Sequence, residues 1–153
     1  MAVTLESAFE NLRAAFNTAL VTTDEQNPKS LSNMISNTPK HPEHVEEDDE
    51  FPYACMIYSG EKPEYEGSDM LWIQPSREMA AIQMWLAVAP SESDALSVDL
   101  MKLVKVVRDV VKATTRKAQS NGFRVRVDSV ETEYEPSGRW GLAVVTVTIG
   151  AYD

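Results

Sequence analysis

Residues 93–153 read SDALSVDLMKLVKVVRDVVKATTRKAQSNGFRVRVDSVETEYEPSGRWGLAVVTVTIGAYD, and the periodicity of this stretch decides the fold. Leu96, Leu100, Leu103, Val104, Val107, Val110, Val111, Thr114 and Ala118 recur at helical spacing, which keeps one face apolar for several turns. The opposite face is basic, with Lys102, Lys105, Arg108, Lys112, Arg116 and Lys117. Ser91 or Ser93 is placed to cap the helix start, Glu92 and Asp94 lie near the positive end of its dipole, and Asn121-Gly122 supplies a left-handed stop. Period two then takes over. Phe123, Val125 and Val127 alternate with Arg124, Arg126 and Asp128, and Glu135-Pro136-Ser137-Gly138 makes a turn. In residues 140–149, Ala143, Val145, Val147 and Ile149 lie opposite Leu142, Val144, Thr146 and Thr148. Both faces are apolar or β-branched, which predicts a central strand or one covered by another subunit.

Upstream, Leu5, Ala8, Phe9, Leu12, Ala15, Phe16, Ala19 and Leu20 fall on one stripe and predict a helix over 4–20, capped by Thr4 or Ser7. From 22 to 52 the pattern dissolves into turn formers and the acidic run Glu46-Glu47-Asp48-Asp49-Glu50. A loop this long in a small domain is functional or disordered when free. Its apolar cluster, Leu31, Met34 and Ile35, either docks a short helical turn or waits for a partner, and the loop as a whole reads as separable from a folded core. Alternation predicts a strand over 53–59, turned by Gly60, and a second over 79–89 whose Ala80, Ile82, Met84, Leu86 and Val88 face the helices. Residues 70–73 are a candidate short strand, ended or placed at an edge by Pro75. The expected fold is a single α+β domain over 1–153. It has one mostly antiparallel sheet of four or five strands, two helices packed on one face, and a long acidic loop after the first helix.

The net charge of −10 is unevenly spread: residues 24–50 sum to −6 and residues 102–126 to +7, leaving −11 on the rest. Most of such a surface repels phosphate, which disfavours tight nucleic-acid binding, and the opposite charges suit association of copies with one another. No apolar run is long enough to span a membrane, and the N-terminus lacks the basic start and apolar block of a secretion signal, so no membrane partner and synthesis in the cytoplasm are expected. The single cysteine, Cys55, sits in a strand-like run and reads as a buried structural thiol.

Chemistry-bearing motifs are sparse. Neither G-x-x-x-x-G-K-[ST] nor G-x-G-x-x-G nor a G-x-S-x-G elbow occurs, and a triad would have to recruit His41 or His44 from the loop. His41-Pro42-Glu43-His44 with Glu46, Glu47 and Asp48 collects metal-ligand types, but Pro42 argues against the helix that would order them; no metal or cofactor is expected. Glu131, Glu133 and Glu135 at period two resemble paired acid–base groups and read more simply as a solvated strand face. Trp72, Trp85 and Trp140 supply core or interface area, and Arg124 and Arg126 read either as a phosphate-contacting pair or as intersubunit partners of Glu131 and Glu133. None of these amounts to an enzyme.

Residues 48–61, DDEFPYACMIYSGE, and 77–88, REMAAIQMWLAV, in their order between the two helices, resemble the tail terminator or tail completion proteins of tailed bacteriophages. The resemblance covers most of the chain and rests on element order: a leading helix, an acid–proline step into a first strand, a charged hairpin, a strand, a long helix and a closing strand pair. It implies a structural subunit of a ring, commonly six copies, that caps the head-proximal end of the tail tube and meets the neck or head completion proteins. It also implies residence at the tail–neck junction of the virion, after assembly in the host cytoplasm. The loop over 22–52 is longer than the family pattern and would serve as an added contact arm, to the sheath in a contractile tail. An acidic ring would let DNA pass without specific binding, and a ring needs unlike patches in contact. The residues nominated for that interface are Asp48, Asp49, Glu50, Lys105, Arg108, Lys112, Arg124, Arg126 and Trp140. Three other readings stand beside it: another neck or head–tail connector component, a small α+β ligand-binding regulatory domain, and a small enzyme using the Glu131 to Glu135 acids.

Overall fold

A computed structural model describes residues 4–21, 31, 34–45, 51–61, 78–89, 96–121 and 123–151. The order is α1 (Leu5–Val21), a 3-10 turn (Pro42–His44), β1 (Tyr53–Glu61), β2 (Glu78–Val88), α2 (Leu96–Asn121), β3 (Phe123–Tyr134) and β4 (Gly141–Ala151). All pairings in the sheet are antiparallel and the strands lie in the order β1-β2-β4-β3. The α+β expectation holds, with four strands among the described residues. The candidate strand over 70–73, the α2 capping residues Ser91 and Ser93, Trp72 and the acidic run 46–50 lie outside them.

Each element forms for a local reason. Thr4 Oγ1 accepts from the Ser7 amide at 3.1 Å while Ser7 Oγ accepts from the Thr4 amide at 3.2 Å, a reciprocal cap for α1. The α1 stripe of Ala8, Leu12, Phe16 and Leu20 is fully buried, as are Leu103 and Val107 of α2. Both helices bury these stripes against one sheet face, on Met56 of β1, Ala80, Ile82, Met84 and Leu86 of β2, and Val145, Val147 and Ile149 of β4. Removing each large aliphatic side chain from water contributes about 1.5–3 kcal/mol. The two-sided apolar pattern of β4 is explained by its place between β2 and β3. On its other side, Leu142 packs with Trp140 and Ala87 in a smaller cluster that Phe51, Tyr53, Trp85 and Val144 border.

Three expectations need correction. Gly60 does not turn the chain: β1 runs on to Glu61, with a bulge at Ser59, and Gly60 takes φ +123°, a conformation that glycine alone adopts at ease. Leu31 and Ile35 dock, and with Val45 they are core residues, so the described part of the loop is not separable from the fold. The Ile35 amide donates to Asn17 Oδ1 at 2.7 Å, and its carbonyl accepts from Arg13 Nη2 at 2.8 Å and Nε at 3.2 Å. Ser36 continues alongside β1 as a parallel bridge to Cys55, donating to the Ala54 carbonyl and accepting from the Met56 amide. Finally, Pro42 sits inside a helical turn after all. As a 3-10 turn's first residue it needs no amide hydrogen, and the His41 ring nitrogen Nδ1 caps the turn by accepting from the Glu43 amide at 3.1 Å.

Candidate assembly surfaces

Alternation alone would put Arg124 and Arg126 on the face opposite Glu131 and Glu133, because two are even-numbered and two odd. A bulge at Asp128 shifts the register, so all four share the face that carries no helix: Arg124 opposite Gly150, Arg126 opposite Thr148, Glu131 opposite Val144 and Glu133 opposite Leu142. The bulged Asp128 also gives Arg126 a partner in its own strand, Nε to Oδ1 at 2.9 Å, and its second oxygen accepts from the buried Thr148 hydroxyl. Arg126 is nonetheless well exposed and available to a neighbour, and Arg124 is exposed beside it.

One end of the helix-free face is roofed by residues 40–45. The His41 ring stands edge-on to Trp140 at 5.1 Å and to Trp85 at 6.4 Å, and its Nε2 lies 3.2 Å from Glu133 Oε2. Tyr53 donates its hydroxyl to the Lys40 carbonyl at 2.7 Å. With Pro42 and Val45 buried as well, Trp140 is 7 % exposed, so its indole is core of the chain itself and leaves the set of interface candidates. His41 and His44 approach ring to ring at 6.4 Å, and no group of three metal-ligating side chains converges among the described residues. Glu131 and Glu133 stand on the exposed edge strand as a solvated face, while Glu135 belongs to the turn. There its carboxylate accepts from the Ser137 hydroxyl, from the Ser137 amide at 3.3 Å and from the Arg139 amide at 3.0 Å; the Ser137 hydroxyl first, then these amides, hold its pKa below the ordinary glutamate value. Cys55 is buried, and burial pushes its thiol pKa up, away from the reactive thiolate.

The helix-bearing face is organised differently. α2 leaves the inner side of β3 partly uncovered, and a groove of about 700 Å³ runs between them, floored by Val130, Thr132 and Tyr134. Val98, Met101 and Tyr134, 50 %, 69 % and 42 % exposed, make its apolar surface. Lys102, Lys105, Arg108 and Lys112 line the same groove, with Asp109 the acid among them. The sequence revealed the basic face of α2 but not this apolar ridge, since Val98 and Met101 lie off the main stripe; their position next to Lys102 and Lys105 was the available signal. The side chains of Arg116 and Lys117 lie outside the described residues.

At the opposite flank of the helix layer, a second cavity of about 470 Å³ opens between the first half of α1 and the sheet. Leu5, Phe9, Tyr58, Ala80 and Ile82 make it apolar, and Glu6 and Glu10 stand at its rim. It lies beside the α1–β1 seam, which Ile35 closes farther along the helix. Among the described helices none is long and apolar enough to cross a membrane. No protein-family model matches the chain, and no curated protein matches it.

Proposed function

We propose that this chain is a non-enzymatic structural subunit, a phage tail terminator-like protein that forms a ring at the head-proximal end of the tail tube and joins it to the neck. The observation that carries the reading is the groove beside α2: a basic surface with exposed Val98, Met101 and Tyr134 on a chain whose net charge is −10. Apolar side chains rimmed by charge opposite to the rest of the surface suit contact with another acidic protein, above all a second copy. The element order supports the same reading through the resemblance. Lys105, Arg108 and Lys112 of this groove, with Arg124 and Arg126 on the other sheet face, are the proposed contact residues, together with the acidic run Asp48-Asp49-Glu50. The partners are further copies of the chain, six by the resemblance, the tube protein, the neck or head completion protein and, in a contractile tail, the sheath. The site of action is the tail–neck junction of the virion, reached from the host cytoplasm, and DNA passes through the ring without specific binding.

One observation favours a second reading: the apolar cavity beside α1 is of a size that holds a small molecule, as a regulatory domain would. Native mass measurement of the purified protein separates the two. Closed rings, or a monomer that joins a ring on tube ends, support the assembly subunit. A stable monomer whose thermal midpoint rises with a metabolite and which ignores tubes supports the regulatory domain.

A further inference from the structure

The two cavities on the helix-bearing face match each other. The α2 groove lies over β3, an edge strand, and the α1 cavity over Tyr58 of β1, Ala80 and Ile82 of β2 and Ile149 of β4. The two surfaces share no lining residue. Val98, Met101 and Lys105 follow one another at helical spacing and form a single projecting ridge, with Lys102 beside it. The cavity beside α1 is apolar inside and acidic at its rim, where Glu6 is exposed and Glu10, 61 % exposed, stands 3.6 Å from Arg13. That arginine is already held by the Ile35 carbonyl. Glu6 and Glu10 thus put acidic charge at the rim of an apolar cavity with room for a side chain.

Resting on the ring reading above, we infer that the ridge of Val98 and Met101 on one copy seats in the α1 cavity of the next, with Lys102 and Lys105 against Glu6 and Glu10. Unlike patches join head to tail, which closes into a ring if the rotation per step permits. The pairing also places attraction where two strongly acidic chains would otherwise repel.

The test uses the full chain with Glu6→Cys on one preparation and Met101→Cys on another, the native Cys55 being buried. Mild oxidation of the mixture is expected to give a mixed disulfide dimer, and the double variant a ladder of multimers. In parallel, Glu6→Lys with Glu10→Lys is expected to weaken association about tenfold, and adding Lys102→Glu with Lys105→Glu to restore it. Rings of normal stability in the first charge variant, with no mixed disulfide, overturn the pairing and leave the ring reading standing. A chain that stays monomeric, caps no tubes and forms no disulfide overturns both. Absence of the disulfide with Tyr58 protected from nitration in the monomer shows the cavity already filled within the chain and also overturns the proposal.

Discussion

Ile35→Ala tests whether the segment before β1 is structure or appendage. The side chain is fully buried between α1 and the sheet, while its backbone amide and carbonyl are held by Asn17 and Arg13. The substitution leaves those backbone bonds in place and removes three carbons from the core. At about 0.8 kcal/mol per methylene the transfer loss is about 2.4 kcal/mol. The cavity left behind raises the expected cost to about 3 kcal/mol. A chain of this length stabilised by about 5–15 kcal/mol would lose a large fraction of that, and its thermal midpoint would fall by about 6–12 °C. Urea unfolding followed by tryptophan fluorescence reads the change as a lower midpoint at constant slope. Met34→Ala next door, where the side chain is 65 % exposed, is the control and should cost under about 0.5 kcal/mol. If Ile35→Ala costs less than about 1 kcal/mol, like its neighbour, the segment is peripheral and a deletable arm after all. On the expected result, deleting residues 27–46 unfolds the protein, because Leu31, Ile35 and Val45 go with it.

Other substitutions probe the remaining surfaces. His41→Ala removes the edge contacts to Trp140 and Trp85 and the Glu133 bond, and should cost about 1–2 kcal/mol with a changed near-ultraviolet dichroism of the tryptophans; an unchanged spectrum would detach residues 40–45 from the sheet. Glu135 has its pKa lowered in the folded state, so the stability it contributes is present above the unfolded value and is lost as pH falls through the folded one. The stability advantage of wild type over Glu135→Gln should therefore hold at pH 7 and shrink below pH 4.5, the ordinary glutamate value, in a pH series of urea melts; a gap that widens in acid would refute the assigned bonds. Arg124→Glu with Arg126→Glu should leave the fold within about 1 kcal/mol, since both side chains are exposed, while weakening self-association. Normal assembly of that double variant would remove both arginines from the interface.

The helices and the sheet were legible because their burial follows period: the inward side of β2, the stripes of α1 and α2, and the two-sided β4 all appear in the sequence as repeated apolar positions. What escaped were departures from period. The Asp128 bulge moves the inward positions of β3 from Val125 and Val127 to Val130 and Tyr134, an odd-to-even change that the residues display but strict alternation overlooks. Gly60 looked like a turn because a glycine at positive φ serves a bulge as well as a turn. The docking of Ile35 is fixed by hydrogen bonds with Arg13 and Asn17 across the chain, and that of Leu31 by its amide donating to the Leu20 carbonyl; no local pattern encodes those. The assembly surfaces were half legible: charge marked the face of α2, whereas the matching apolar cavity combines α1, β1, β2 and β4 and exists only once they are packed.

The proposed role is tested most directly by electron microscopy of tail tubes polymerised from a purified phage tail tube protein, with and without this protein. The proposal requires a ring of density on one end of each tube and an end to growth there. Tubes that elongate unchanged and carry no cap at saturating protein would contradict it.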